Sequence, residues 1–227
     1  MSGCAEPGGI VKILNLYAGI GGNRKKWDGH QVTAVESDPK IAAVYGSLFP
    51  DDELIVGDAE AVLLERFAEF DMIWSSPPCQ SLSRMVKFGR NRSPRLPDLS
   101  LYSQVIFLQN WYEGLFVVEN VISYFPPLLP PKKIGRHLFW TNFEFHADEV
   151  PSPKGFINPT IGTVEALQDW LGIHYPKPWP CYDGNHCPTQ PLRNCVHPDL
   201  GLQILEAAEG RVTTRPEQLG FEAADSS

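Results

Sequence analysis

The sequence predicts an α/β protein with a doubly wound, mostly parallel sheet, and three observations carry this prediction. Apolar strand segments alternate with helical segments up to about residue 145, which is typical of βαβ units whose sheet is covered on both faces. A glycine-rich turn follows the first strand, as in nucleotide-binding sheets. At 227 residues and 43% hydrophobic content, the chain can bury one substantial core but not two full-sized domains.

The first strands each lead into a helix. The segment VKILNLYAGIGG is an apolar strand that runs into the glycine-rich turn, and NRKKW is predicted to begin a helix. HQVTAVESD is a second strand that ends on Glu36 and Asp38, and PKIAAVYGSLF forms the next helix. ELIVGDAE is a third, short strand that ends on Gly57 and Asp58.

The fourth and fifth strands follow the same alternation. AVLLERFAEF is predicted to be helical and DMIWSS to be a buried strand. SLYSQVIFLQNWYEG is the next helix, and GLFVVENV is a strand predicted to end on Glu119.

The composition then changes, which divides the chain. Residues 1–143 form the predicted core, and residues 144–190, rich in proline and aromatic residues, form a short loop-rich insertion that contains one helical segment, TVEALQDWLG. Residues 191–210 contribute a last helix, LGLQILEAAEG, that completes the core, and residues 211–227 are expected to be a disordered tail.

Polar residues at successive strand ends predict a cofactor site. Gly19, Gly21 and Gly22 permit close approach of a ligand to the backbone. Glu36 ends the second strand, where an acid binds ribose hydroxyls, and Asp58 ends the third, where it would accept a bond from an adenine amino group. The pattern indicates an adenosine-bearing cofactor and leaves a dinucleotide and S-adenosylmethionine open.

The stretch SSPPCQSLS holds one cysteine behind two prolines, which fix the backbone and therefore the direction of Cys79. Cys79 and Glu119 follow neighbouring strands, so their side chains are expected to converge. A thiol there would act as a nucleophile, and a carboxyl group, kept neutral by the apolar surroundings LFVVENVISYF, would hold or protonate a ring nitrogen. A buried structural thiol is the alternative for Cys79 taken singly.

The charge distribution carries more information than the net charge of −8, which argues against a broadly basic surface. The run from Arg84 to Arg95 contains five basic residues and no acidic residue. Solvated loop charge is the ordinary explanation of such a run, whereas its place directly after Cys79 favours contacts with phosphate.

Cysteine usage and hydropathy indicate a reduced, cytoplasmic protein. Five cysteines are an odd number without a signal sequence, and the spacing C-x5-C-x7-C lacks the C-x2-C knuckle of a zinc site, so we expect no metal. The N-terminus MSGCAEPGG lacks the features of a signal peptide, and no apolar run would span a membrane.

Taken in order, the motifs resemble those of the cytosine-C5 DNA methyltransferases, of a compact bacterial or phage type. The matching residues are NLYAGIGG (15–22), Glu36, Asp58, PPCQ (77–80), ENV (119–121), GRHLFW (135–140) and RNCVHP (193–198).

The resemblance implies the Rossmann-like fold of S-adenosylmethionine-dependent methyltransferases and a covalent mechanism on duplex DNA. Cys79 would add to C6 of a cytosine flipped out of the helix, Glu119 would bond N3, and Arg136 would contact O2. Gln80 and the basic run that follows resemble the mobile loop that closes over DNA. Residues 144–190 would then be a reduced target-recognition region, and the enzyme is expected to act as a monomer.

The resemblance also implies two residue sets. The cofactor-binding set is Tyr17, Ala18, Gly19, Gly21, Gly22, Glu36, Ser37, Asp58, Ala59, Pro77, Asn194 and Cys195. The nucleic-acid-binding set is Ser81, Arg84, Lys87, Arg90, Arg92, Arg95, Lys154 and Lys177, with Asn158, Trp179 and Asn185 as further candidate readers of base edges.

Three features depart from the family pattern. Arg193 replaces the usual glycine and would serve as a phosphate contact, a surface ion pair, or a partner for a carboxylated S-adenosylmethionine. One arginine expected before Arg136 is missing, since Ile134 and Gly135 stand there. The short insertion predicts a short recognition site or relaxed sequence preference.

Three rival functions remain. An RNA (tRNA) methyltransferase of the same lineage would share all these motifs. A cofactor-binding module without catalysis would have no reason to keep Cys79, Glu119 and Arg136, and a nicotinamide-dependent oxidoreductase leaves PPCQ and ENV unexplained.

Overall fold

One seven-stranded sheet organises the protein, with the strand order β3-β2-β1-β4-β5-β7-β6. The computed structural model describes residues 11–84, 96–156, 163–184 and 187–210. The strands are β1 (Lys12–Leu16), β2 (Gln31–Glu36), β3 (Glu53–Val56), β4 (Met72–Ser75), β5 (Leu115–Val121), β6 (Lys132–Ile134) and β7 (His137–Thr141). Strands β1 to β5 are parallel, and β7 is antiparallel to both β5 and β6. The predicted doubly wound, mostly parallel sheet is therefore confirmed.

The helices lie between the strands and after the sheet. They are α1 (Pro39–Leu48), α2 (Ala59–Arg66), α3 (Ser100–Trp111), α4 (Val164–Leu171), α5 (Gln190–Arg193) and α6 (Pro198–Glu209). Asp38 begins α1 by accepting bonds from the amides of Lys40 and Ile41, and Thr163 caps α4 by accepting from Ala166.

The helix predicted at NRKKW is wrong, because the chain makes only a 3-10 turn at Asn23–Lys26. Trp27, fully buried, donates through Nε1 to the carbonyl of Gly201 in α6, 174 residues away. Gly29 then turns the chain toward β2 with φ of 80°. A tertiary contact therefore ends the helix before it can extend.

The predicted end of the fifth strand at Glu119 is also wrong, since β5 continues to Val121. The reason is the β6–β7 hairpin, which spans GRHLFW and the three residues before it and was not predicted from the sequence. Strand β7 pairs with β5 from Val117↔Thr141 to Val121↔His137, and this pairing keeps β5 extended past Glu119. Gly135, with φ of 55°, lies in the hairpin turn.

Apolar clusters cover both sides of the sheet. One contains Leu63 of α2 and Val105 and Leu108 of α3, and the other contains Ile204 and Leu205 of α6. The insertion packs on the core as well, because Leu167, Leu171 and Ile173 join Ile41 and Leu192 in a third cluster. The division of the chain into four segments stays a prediction, and residues 211–227 lie outside the described residues.

Within the described ranges, no helix has the length and apolar character needed to cross a membrane. The same residues contain no group of three or more histidine, cysteine or acidic side chains placed to hold a metal ion.

Candidate active site

The turn after β1 forms the floor of the site. Tyr17, Gly19 and Gly21 have φ of 56°, 55° and 81°, a left-handed conformation that favours glycine. A Cβ at Gly22 would lie 2.4 Å from Cβ of Cys195, so only glycine permits this approach. The turn therefore brings together predicted cofactor residues from the two ends of the chain.

Glu36 lies at the carboxyl end of β2 and is 6% exposed. Its Oε2 accepts a bond from the amide of Gly19 at 3.0 Å, and its Oε1 accepts from the amide of Asp38 at 2.9 Å. Burial raises the pKa of Glu36, while these backbone donors oppose the rise. Each oxygen has a further lone pair, so the carboxylate fits the predicted bonds to ribose hydroxyls. Ser37, the exposed residue beside it, lies with Oγ 3.5 Å from Oε1.

Asp58, predicted to contact adenine, and Ala59, also in the predicted cofactor set, lie where α2 begins. The Asp58 carboxylate caps α2 by accepting from the amide of Glu60 at 2.9 Å, and Ala59 is buried. The capping role explains Asp58 without a ligand, although its second oxygen stays available.

Tyr17 and Ala18 attach the turn to the sheet. The amide of Ala18 donates to Val35 at 2.9 Å, and Gln104 Nε2 donates to the Tyr17 hydroxyl at 2.8 Å. Burial raises the pKa of Tyr17 to about 12, so the hydroxyl stays protonated at neutral pH.

Tyr182 borders the glycine turn from the insertion. Its hydroxyl lies 3.7 Å from the point that a Gly19 Cβ would occupy, and its side chain is hydrogen-bonded to Asn194. Burial raises the pKa of Tyr182, and the nearby charge of Glu36 adds to the rise. The amide of Asp183 donates to Asp38 Oδ2 at 3.0 Å, which joins this segment to the end of β2.

Cys79 lies in a loop that is anchored on both sides. Before it, the buried Pro77 accepts a bond from Asn120 Nδ2 at 2.9 Å. After it, the carbonyl of Cys79 accepts from the amides of Leu82 and Ser83 at 3.0 and 2.9 Å. Burial raises the pKa of the Cys79 thiol, and the charge of Glu119 raises it further, while Arg136 opposes them. Gln80 is exposed beside it.

Glu119 contacts His137 in the interior. Glu119 Oε1 lies 2.6 Å from His137 Nδ1, and the two side chains are 6% and 7% exposed. The sequence reasoning assigned no role to this histidine.

Arg136 lies in the turn between β6 and β7 and approaches Cys79 and Glu119 from there. Its Nη2 donates to the carbonyl of Cys195 at 2.8 Å, and its guanidinium lies 4.6 Å from the ring centroid of Phe156. Burial lowers the pKa of Arg136, whereas the charges of Glu119 and Cys79 raise it. Cys79, Glu119 and Arg136 are thus close enough for each to perturb another, and their catalytic roles stay predictions.

Cys195 and Arg193 differ in their surroundings. Cys195 is 6% exposed, and burial raises its pKa to about 12, so it stays a thiol. Arg193 Nη1 lies 4.0 Å from Cys187 Sγ, and its Nε and Nη2 are buried without a hydrogen-bond partner in the described residues. The three roles proposed for Arg193 therefore stay open.

Four of the predicted nucleic-acid-binding residues can be placed. Ser81 Oγ accepts from the amide of Asp98 at 2.9 Å, which joins the two ends of the segment 85–95. Arg84, Lys154 and Lys177 are exposed, and Lys177 Nζ lies 4.4 Å from the ring centroid of Trp179. The others, Lys87, Arg90, Arg92, Arg95, Asn158 and Asn185, lie outside the described residues.

Three residues of the site escaped sequence reasoning: Asn120, His137 and Tyr182. Asn120 follows Glu119 directly, so its place in ENV was a usable signal. His137 directly follows Arg136 and begins β7. Its place beside Glu119 could be predicted only together with the pairing of β7 and β5. Nothing local in the sequence indicates Tyr182.

Comparison with known proteins gives the family. A family model described as C-5 cytosine-specific DNA methylase matches residues 11–123, which contain the glycine turn, Glu36, Cys79 and Glu119. Residues 11–123 belong to the C-5 cytosine-specific DNA methylase family. Membership of this family of S-adenosylmethionine-dependent enzymes confirms the predicted cofactor.

The relatives of this methylase domain include curated enzymes. A tRNA (cytosine(38)-C(5))-methyltransferase of Mus musculus is 32% identical over 117 residues, covering 44% of this chain and 28% of that protein. The enzyme of the same name from Spodoptera frugiperda is 34% identical, covering 48% of this chain and 35% of that protein. The match therefore spans about a third of the length of these relatives.

A solved structure of a mutant of Spodoptera frugiperda DNMT2 is also similar. It is 30% identical, with a TM-score of 0.35, over 49% of this chain and 35% of that chain.

Proposed function

We propose that the protein transfers a methyl group from S-adenosylmethionine to C5 of cytosine in DNA, through a covalent bond between Cys79 and C6 of the base. The observation that carries the proposal is the convergence of Cys79, Glu119 and Arg136 beside the glycine turn of a methylase-family sheet.

The residues around the turn fit the cofactor. Glu36 offers a buried carboxylate at the end of β2, Gly19 leaves the turn without a side chain beside Tyr182, and Tyr182 would border the ligand. When bound, S-adenosylmethionine supplies an electrophilic methyl group.

Cys79 starts the reaction as a thiolate. Its sulfur forms a bond with C6, and the electrons of the C5–C6 double bond make C5 nucleophilic while negative charge moves toward N3 and O2. Burial and then the charge of Glu119 raise the pKa of Cys79 in the protein alone, while Arg136 opposes them, so a neutral Glu119 would favour the thiolate.

Glu119 and Arg136 would stabilise the ring during this step. A neutral Glu119 gives its proton to N3, and the guanidinium of Arg136 faces the charge that develops on O2. Transfer of the methyl group to C5 would leave S-adenosylhomocysteine. A water molecule would then take the proton from C5 as the C5–C6 double bond forms again, the sulfur would leave C6 as a thiolate, and N3 would return its proton to Glu119.

Substrate access needs an extruded base and local cations. A stacked cytosine cannot present C6 to a thiol, so the base must be flipped out. The exposed Arg84 and the basic residues that follow it in sequence would contact phosphates around that base.

The test measures tritium transfer from labelled cofactor to duplex DNA and, in parallel, to transfer RNA. We expect the wild type to label DNA and Cys79→Ala to lose all transfer while it binds the cofactor as before. DNA containing 5-fluorocytosine should trap the wild type covalently, because fluorine cannot leave C5 as a proton does. Cofactor binding without transfer or adduct would refute the catalytic proposal.

A second candidate substrate is transfer RNA, because the curated relatives are named tRNA methyltransferases. Labelling of transfer RNA alone would establish this candidate and refute the DNA substrate. A bacterial or viral source and a role in restriction-modification stay predictions, as do action as a monomer and a cytoplasmic location.

A further inference from the structure

We propose that His137 is a positioning residue for Glu119: its Nδ1–H donates to Oε1, so that the acidic proton of Glu119 sits on Oε2, the oxygen that faces the substrate. This inference rests on the proposed function and deepens it. Nothing in the resemblance to the family assigns a role to this residue.

The sheet fixes the contact between the two side chains. In the antiparallel register, Val121 lies opposite His137 and Phe139 lies opposite Glu119, so Glu119 and His137 are diagonal neighbours on one face. The distance of 2.6 Å between Nδ1 and Oε1 is that of a strong hydrogen bond, and both side chains are more than nine-tenths buried. Within the described residues, this hydrogen bond is made to Oε1 and not to Oε2.

The environment on the far side of the imidazole allows proton exchange. His137 lines a cavity of about 40 Å³ together with Glu149, Ser152 and His197. This volume and its polar lining suit one water molecule. A water molecule in this cavity is the route by which we propose that Nε2, the second nitrogen of the ring, exchanges a proton with solvent while Nδ1 keeps its bond to Glu119.

The proton count of the pair follows from this arrangement. One titratable proton is held either on Oε2, with His137 neutral, or on Nε2, with His137 cationic and Glu119 a carboxylate. In the reaction, Oε2 gives its proton to N3 as the sulfur bonds to C6, and Nδ1–H stabilises the carboxylate that is left. The proton returns to Oε2 when the sulfur leaves.

Charged groups face the pair from each element around it. They are Arg136 in the turn before β7, Cys79 in the loop after β4, and Glu149 and His197 across the cavity. His137 thus provides a second position for the proton in a site where the charges of Cys79, Glu119 and Arg136 already act on one another.

Two substitutions of His137 separate orientation from proton storage. His137→Asn places an amide nitrogen near the position of Nδ1, so it keeps the donor to Oε1 but cannot take up a proton. His137→Leu removes both functions. The matched control is His174→Asn, because His174 makes an exposed contact with Asp169 at 2.9 Å.

The measurement is the single-turnover rate of methyl transfer as a function of pH, with the KM for the polynucleotide. We expect His137→Leu to lower the rate about 100-fold, as for loss of a general acid, with the KM changed less than about threefold. The rate of His137→Asn at neutral pH should stay within about tenfold of the wild-type rate. As the pH is raised, however, the rate of this variant should begin to fall at a lower pH than the wild-type rate, because asparagine cannot hold the proton that His137 holds. His174→Asn should match the wild type. Wild-type rates and an unchanged pH profile in both His137 variants would overturn the inference.

A readout independent of catalysis keeps the inference testable if a variant unfolds or if no methyl transfer occurs. The nitrogen NMR signals of His137 in the wild type should report a protonated Nδ1, and Glu119→Gln should shift them while leaving those of His174 in place. Unshifted His137 signals would contradict the proposed contact. Failure of the wild type to label any polynucleotide would instead refute the proposed function.

Discussion

Burial of the Cys79 thiol opposes its ionisation, and Glu119 opposes it further whenever its carboxyl group is charged. Burial raises the pKa of Cys79, and Glu119 raises it further. A thiol with a raised pKa has little thiolate at neutral pH, so the free protein is expected to be protected from electrophiles.

Glu119→Gln removes the charge that adds to the effect of burial, and it should therefore lower the pKa of Cys79. We expect the rate of Cys79 alkylation by iodoacetamide at pH 7 to increase several-fold, as measured by mass spectrometry of the peptide that contains Cys79. Alkylation of Cys195, which is buried against the glycine turn, serves as the internal control and should stay slow in both proteins. An equal or slower rate at Cys79 would mean that Glu119 does not govern its ionisation.

At the scale of single elements, the turn after β1 depends on its contact with the segment after α5. A Cβ at Gly22 would meet the side chain of Cys195 at 2.4 Å and the carbonyl oxygen of Val196 at 2.7 Å. Gly22→Ala should therefore lower the free energy of unfolding by about 1–3 kcal/mol, as for an overpacked core, and weaken cofactor binding. Denaturant unfolding and calorimetric titration with S-adenosylmethionine measure the two effects.

Gly57→Ala is the matched control for stability, because a Cβ there would meet only Ile55, at an ordinary 3.8 Å. Equal free energies of unfolding in the two variants would contradict the close contact at Gly22.

Which elements the sequence predicts depends on the range of the interactions that form them. Strands β1 to β5 follow from local apolar runs, and Cys79 and Glu36 follow from local motifs at the strand ends. The 3-10 turn at Asn23–Lys26 depends instead on Trp27, which is fixed by Gly201 in α6. The position of His137 depends on the register of the β5–β7 pair, and the position of Tyr182 on the path of a loop. These contacts join residues far apart in sequence, so no local pattern contains them.

At the scale of the whole molecule, many cations outside the basic run are already paired. Arg24 binds Asp52 at 2.8 Å, Lys40 binds Asp183 at 2.6 Å, and Arg66 binds both Glu53 and Glu69 at 2.9 Å. With 27 acidic and 19 basic residues, the protein as a whole is acidic, and the run from Arg84 to Arg95 gathers five of its basic residues.

The affinity for duplex DNA should therefore depend on salt with a slope to which this run contributes most, with a smaller contribution from the exposed Lys154 and Lys177. We expect log K against log salt concentration to have a slope of about −3 to −5, near −0.9 for each phosphate contact. Replacing Lys87 and Arg90 by alanine should make the slope shallower by about one for each residue, as measured by fluorescence anisotropy. Arg66→Gln should leave the slope unchanged, since Arg66 lies between two acids, and a shallower slope in that variant would place the interface elsewhere.

One peptide group connects the two halves of the site. The carbonyl of Cys195 accepts the bond from Arg136, and the same residue packs directly on Gly22. A ligand that shifts the glycine turn therefore also moves the carbonyl of Cys195, which accepts the hydrogen bond from the Arg136 guanidinium. Binding free energies linked in this way are reciprocal. If the cofactor raises the affinity for the base by some factor, the bound base must raise the affinity for the cofactor by the same factor. The protein would then form its ternary complex cooperatively, with neither ligand touching the other's binding residues.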